Sequence, residues 1–126
     1  MTNDGKNPER KPMKFDLEER TAKFAEDVIE FCKKLPKDPR FLPIIVQLVK
    51  AATSVGANYC EADDAQSKKD FVHKIAICKK ESREAKYWLR IIAKTFLEFT
   101  NEAKILWQEA QELNLIFASI IRNKKD

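Results

Sequence analysis

The sequence is poor in the residues that mark tight turns and many chemical sites. Its 126 residues include only 2 glycines, 5 prolines and 1 histidine, which argues against collagen-like, linker-rich and turn-rich β architectures. It has no glycine-rich phosphate loop, and no uninterrupted apolar run approaches the roughly 18 residues that a membrane span needs. These shortages predict a mostly helical protein without a membrane segment.

The length is that expected of one compact domain. Residues 1–14 are mostly polar and charged and include Gly5, Pro8 and Pro12, so they predict a disordered tail without an export signal. The domain is then expected to span residues 15–126.

The 3 cysteines are few and unevenly spaced. They lack CxxC spacing and fall in segments of apolar periodicity, so we predict reduced, buried thiols without disulfides. They are Cys32, Cys60 and Cys78. Thiols of this kind are typical of a reducing compartment, and we expect a cytoplasmic protein.

Apolar residues recur at helical spacing in four segments. The first predicted helix begins at Asp16 and is stopped by Pro36, and the second runs to about Asp64. Ser67 predicts the N-cap of the third helix, and Thr100 lies where a fourth begins. Four such helices with short connections predict an all-α, antiparallel up-down-up-down four-helix bundle.

The third helix carries the excess positive charge. The chain has a net charge of +4, whereas residues 67–98 contain nine Lys or Arg against four Asp or Glu. Opposite the apolar seam lies the outer strip, which we define as Lys69, Lys80, Arg83, Tyr87, Arg90 and Lys94. Such a row matches a phosphate backbone, with the tyrosine as a stacking surface. An ordinary solvated helix face is the alternative.

Two further rows lie on the sides of the second and third helices. The row on the second helix is Gln47, Ala51, Ser54, Asn58 and Glu61, and the row on the third is Lys74, Ile77, Glu81, Glu84, Trp88 and Ile91. Antiparallel packing predicts a pair between Glu61 and Lys74, and Gly56 predicts close approach of a neighbouring helix. Because lateral polar groups need partners, the rows indicate a network that fixes register or a subunit contact.

Catalytic and metal-binding patterns are thin. His73 and Asp70 cannot supply the ligand set of a di-iron bundle. Cys78 lies on the apolar seam while His73 points outward, so they do not form a nucleophile and base. Glu81 and Glu84 are candidates for an acid and base pair, but no glycine-lined cleft accompanies them. We therefore expect no enzyme, no metal and no cofactor.

Three motifs resemble a known family. They are S-x-G-A-N-x-x-E-A at residues 54–62, S-x-x-D-F at 67–71 and K-E-x-x-E-x-x-Y-W-L at 80–89. Over residues 15–123 the chain resembles the bacterial four-helix-bundle proteins encoded in intervening sequences of large-subunit ribosomal RNA genes. No enzymatic activity is established for that family.

The resemblance implies an antiparallel bundle that assembles as a homopentameric ring. It also implies a relation to the accessory variability determinant of diversity-generating retroelements, which binds nucleic acid and a reverse transcriptase. Together with Lys74, the matched positions are assigned to fold and assembly and are called the assembly network. They are Ser54, Asn58, Glu61, Ser67, Phe71, Glu81, Glu84 and Trp88.

The sequence thus leads to two hypotheses. The first is a non-enzymatic oligomer that binds structured RNA or DNA through the outer strip, with salt-sensitive and sequence-tolerant affinity. The second is a protein-interaction scaffold that recruits a partner polypeptide such as a nucleic-acid enzyme. Neither hypothesis involves a membrane.

Overall fold

The computed structural model describes residues 12–124, with side chains from Leu17 onward. Over this range the chain is helical and contains no strand. The elements are α1 (Pro12–Lys34), α2 (Leu42–Asp63), α3 (Lys68–Thr95), a short 3-10 helix (Leu97–Phe99) and α4 (Thr100–Lys124). None of these helices is both long and apolar enough to cross a membrane.

Helix α1 begins earlier than the sequence indicates. It starts at Pro12 rather than Asp16, since proline suits a first helical turn, where the missing N–H would have no intrahelical acceptor. The last residues of the predicted tail, 12–14, therefore belong to the helix. Residues 1–11 of that tail lie outside the described residues.

The close approach predicted at Gly56 is confirmed. A Cβ atom added there would lie 3.3 Å from Oγ1 of Thr21 on α1. Thr21 is itself buried, and its hydroxyl donates a hydrogen bond of 2.8 Å to the Leu17 carbonyl oxygen. Glycine thus lets α1 lie closer to α2 than a larger residue would allow.

Local chemistry sets the ends of α3. Ser67 is the N-cap, as predicted, and its Oγ accepts a hydrogen bond from the Asp70 amide at 3.1 Å. At the other end Phe96 leaves the helical conformation, and Thr100 Oγ1 donates to the Ala93 carbonyl at 2.7 Å. This bond ties the start of α4 to the last turns of α3.

The helices share one apolar core. Helix α3 packs along α2 and α4, while α1 packs on α2 and more sparsely on α4. The largest fully buried side chains come from all four helices and include Phe24, Leu48, Ile75, Leu89 and Phe117. The structure is therefore a helical bundle in which α3 is held from both sides.

One prediction about the cysteines is wrong. Cys60 is exposed, because it lies one residue and about 100° beyond the buried Tyr59. Cys78 is buried and Cys32 half-buried, and burial raises the pKa of Cys78 to about 12 and the pKa of Cys32 to about 11. All three thiols are free.

Candidate nucleic-acid interface

The outer strip of α3 faces solvent along its whole length. Its members Lys69, Lys80, Arg83, Tyr87, Arg90 and Lys94 are all exposed. From Lys69 to Lys94 the strip is about 38 Å long at the rise of an α-helix. The Tyr87 ring is 55% exposed and makes an edge-to-face contact with Trp88, so the aromatic surface among the cations is accessible.

Glu81 and Glu84 of α3 lie on a flank of the helix rather than in this strip, with Glu81 Oε2 4.0 Å from Nζ of the strip residue Lys80. Glu84 Oε2 accepts a hydrogen bond of 3.1 Å from the Trp88 indole. The Glu81 side chain is 18% exposed, and burial raises its pKa, with a further increase from the Glu84 charge and opposing effects of Lys80 and Lys50. Since Lys50 belongs to α2, these carboxylates mark the flank of α3 that faces α2.

The acidic residues of α4 are turned towards α1. Arg20 of α1 donates to both carboxylate oxygens of Glu109, at 2.7 and 2.9 Å, and to Glu112 at 2.7 Å. Lys34 of α1 pairs with Glu102. The side of α4 next to α3 is left with lysine and amide side chains.

Cations and amides therefore line the boundary between α3 and α4. Lys86 Nζ donates to Gln111 Oε1 and lies 5.0 Å from the ring centroid of Trp107. Asn114 Nδ2 donates to the Lys79 carbonyl oxygen at 2.8 Å. The basic surface is thus wider than the outer strip and extends towards α4.

A groove of 740 Å³ lies at one end of this surface, between the last turns of α3 and the first turns of α4. We call it the α3–α4 groove. It is lined by Leu89, Arg90, Ala93, Lys94, Leu97, Thr100, Ala103, Lys104, Trp107 and Gln108.

Sequence reasoning missed the α3–α4 groove and its α4 residues. Lys104 and Trp107 are three residues apart on one face of α4, a spacing that the sequence displays. Their position beside Arg90 depends on how α4 packs against α3.

Some members of the assembly network contact one another across helices, and others act within one helix. The predicted pair forms, with Lys74 Nζ 2.5 Å from Glu61 Oε1. Asn58 Nδ2 donates to both the carbonyl oxygen and Oγ of Ser54, each at 2.9 Å. Ser67 acts locally as the cap of α3.

Phe71, at the start of α3, is the member of the network that contacts α4. It is half-buried, and Lys124 Nζ lies 5.4 Å from its ring centroid. It therefore contacts the end of α4.

The described residues contain no group of three or more His, Cys, Asp or Glu side chains that could hold a metal ion.

Fold and surface together define a helical bundle with a basic face on α3 and α4. Over residues 13–119 the sequence matches the 23S rRNA-intervening sequence protein family, and the chain belongs to that family.

A solved structure supports the same assignment. The chain is similar to a protein of unknown function from the S23 ribosomal protein family of Bacteroides thetaiotaomicron VPI-5482, with 30% sequence identity and a TM-score of 0.76. The similarity covers 83% of this chain and 97% of that chain. None of the curated proteins compared with this chain matches it.

Proposed function

We propose that this protein is a non-enzymatic, oligomeric, cytoplasmic bundle that binds RNA or DNA through the outer strip of α3. The observation that carries the proposal is the segregation of charge. The cations of the strip face solvent, while Glu81 and Glu84 of α3 lie on the flank that faces α2 and the carboxylates of α4 face α1. A phosphate backbone along the strip would meet positive charge with little opposing repulsion.

An antiparallel up-down-up-down arrangement is part of the proposal. It is supported by three contacts between opposite ends of neighbouring helices. They are Glu61 near the end of α2 with Lys74 near the start of α3, Phe71 at the start of α3 with Lys124 at the end of α4, and Lys34 at the end of α1 with Glu102 at the start of α4.

Assembly as a homopentameric ring is also proposed. The flank of α3 next to α2 supports it, because Ile77, Trp88 and Ile91 remain only half-buried within one chain and are large enough to anchor a subunit contact. The family resemblance, through the relation to the accessory variability determinant of diversity-generating retroelements that it implies, suggests five copies. Such an assembly would leave the outer strip open to a ligand.

Two observations favour RNA as the ligand. The names of the family and of the solved relative both refer to the ribosome or its RNA. Tyr87 offers an exposed ring among the cations, and aromatic stacking is a common way to hold unpaired bases.

The test is a titration of fluorescently labelled, structured RNA against the full chain at two salt concentrations, followed by anisotropy. We expect binding at low salt that weakens steeply as salt rises, and a loss of at least about 10-fold in Arg83→Glu/Arg90→Glu. The matched control is Lys23→Glu/Lys33→Glu, which makes the same charge change at exposed positions of α1. Absence of binding at low salt, or equal effects of the two variants, would refute the proposal.

A protein-interaction scaffold is the second candidate. It is favoured by large apolar side chains that are exposed on the chain: Leu42, Val46, Leu97, Ile105 and Leu115. Such a scaffold would recruit a partner such as a nucleic-acid enzyme. Capture of a partner at high salt separates the candidates, because apolar contacts persist where phosphate contacts weaken.

A further inference from the structure

We propose that the α3–α4 groove receives an unpaired base of a single-stranded nucleic acid, whose flanking phosphates are bound by Arg90, Lys94 and Lys104. This inference rests on the proposed function and goes further, because it names an unpaired strand as the ligand and adds residues of α4 to the site. It follows from the groove's floor, its rim and its place on the basic surface.

The floor of the groove is apolar and built from both helices. Leu89 and Ala103 are fully buried beneath it, while Ala93 and Trp107 are half-buried. Leu97 stands at its edge with 74% of its surface exposed. A volume of 740 Å³ falls within the range of about 300–1,000 Å³ that takes small organic ligands. The floor therefore suits a flat group with little charge, such as a nucleobase.

The rim of the groove is cationic. Arg90, Lys94 and Lys104 line it, and none of the lining residues is acidic. Within residues 17–124 no ion pair engages any of these three side chains. Arg90 and Lys94 are about 6 Å apart along α3, so they can contact successive phosphates on either side of one base. Gln108 adds an amide that can bond to a base edge.

The neighbouring surface favours a nucleic acid over an acidic peptide. Arg90 and Lys94 belong to both the rim and the outer strip, so a strand that follows the strip reaches the groove without a break in positive charge. The rim, floor and strip together combine a cationic track with apolar and aromatic surface, as single-strand-binding sites do. An acidic peptide helix could occupy the groove, but it would not contact the outer strip beyond the groove.

A duplex does not present its bases to such a site. Paired bases are stacked inside the helix, and extruding one requires unpairing. The groove should therefore discriminate against double-stranded ligands even though both forms meet the same cations.

The experiment compares two single strands of equal charge, with a duplex as the reference in which the bases are paired. The probes are a single strand of roughly 12 uridines, the same backbone with abasic sites throughout its centre, and a duplex of the same length, each titrated against the full chain at low salt. A thymidine strand is included to separate RNA from DNA. We expect the uridine strand to bind about 10-fold more tightly than the abasic strand.

Two groove variants and one control locate this preference. Leu97→Ala removes apolar surface at an exposed position, and Ala93→Leu fills the groove with a good helix former. Both should reduce the preference for bases over abasic sites to below about 3-fold while leaving abasic binding unchanged. The control Ile105→Ala truncates another exposed apolar residue, 69% exposed and outside the groove lining, and should keep the full preference.

The outcomes distinguish this inference from the proposed function. Equal binding of uridine and abasic strands, with both weakened by Arg83→Glu/Arg90→Glu, would overturn the groove proposal and leave the outer strip as a nucleic-acid site. Binding of an acidic amphipathic peptide that Ala93→Leu abolishes, without any base preference, would make the groove a protein site and overturn the proposal. Lack of binding by every oligonucleotide would refute both.

Discussion

Arg20 is the main polar contact between α1 and α4, and we predict that its removal destabilises the bundle. Its guanidinium bonds to Glu109 with two nitrogens and to Glu112 with one. The pKa of Arg20 is raised, first by the hydrogen bond from its side chain to Glu109. Arg20→Ala removes these bonds and leaves two carboxylates one turn apart without their cation.

The size of the effect follows from the exposure of the groups. Hydrogen bonds to charged groups contribute about 1.5–3 kcal/mol when shielded, whereas exposed ion pairs contribute about 0.2–1 kcal/mol. The Arg20 and Glu109 side chains are 32% and 31% exposed, between these limits. We therefore expect Arg20→Ala to lower the free energy of unfolding by about 1.5 kcal/mol, or the melting temperature by about 6 °C.

The assay is thermal unfolding followed by circular dichroism at a fixed protein concentration, in low and high salt. Arg20→Lys should recover less than half of the loss, because an ammonium group cannot reproduce the two-pronged contact. High salt should narrow the gap between wild type and Arg20→Ala. Lys33→Ala, which removes an exposed i,i+3 pair with Glu30, is the control and should change the melting temperature by no more than about 1 °C.

One result would refute this reasoning directly. If Arg20→Ala melts within about 1 °C of wild type, the contact between Arg20 and Glu109 does not hold α1 against α4. A double-mutant cycle with Glu109→Ala makes the same check, since independent losses would show that the two groups are not coupled.

Three further predictions concern stability. Gly56→Ala should lower the melting temperature, because the added Cβ would lie 3.3 Å from Thr21 Oγ1. In a Thr21→Ala background the same change should raise the melting temperature, since alanine favours a helix over glycine by up to about 1 kcal/mol. An increase in both backgrounds would contradict the steric explanation. Ser67→Ala should lower the free energy of unfolding, measured by urea unfolding, by about 1 kcal/mol, because α3 loses its N-cap. Ser67→Asp is the control, because aspartate retains a cap. Glu81 has a raised pKa, caused first by burial, so its contribution to stability is present at acid pH and lost as pH rises through its folded-state pKa. Glu81→Gln should therefore melt higher than wild type at neutral pH and show no advantage near pH 4 or below, and a pH-independent gain would contradict this account.

Acidic and basic side chains are unevenly distributed around α3 and α4. Carboxylates of α4 are held by Arg20 and Lys34 of α1, and Glu81 and Glu84 of α3 lie beside α2. In the function that we propose, the flank of α3 towards α2 serves assembly, and the outer strip with the flank towards α4 binds an anionic ligand. The net charge of the chain, +4, does not reveal this uneven distribution of charge.

Helix number, seam and capping were predictable because they depend on local spacing. Leu89 and Ile92 are buried where the apolar period of α3 places them, and Ser67 caps the helix as its side chain dictates. Exposure of the outer strip follows from the same 3.6-residue period. The start of α1 was misjudged, because Pro12 is as compatible with a first helical turn as with a loop.

What the tertiary structure alone decided is how groups from different helices meet. No local period relates Arg20 to Glu109, or Lys104 to Arg90, because those contacts depend on the rotation and register of packed helices. The exposure of Cys60 was also not predictable from local spacing, since a rotation of about 100° per residue separates it from the buried Tyr59. The sequence by itself therefore determined the helices and the basic face of α3, and the packing of α4 against α3 added the groove beside that face.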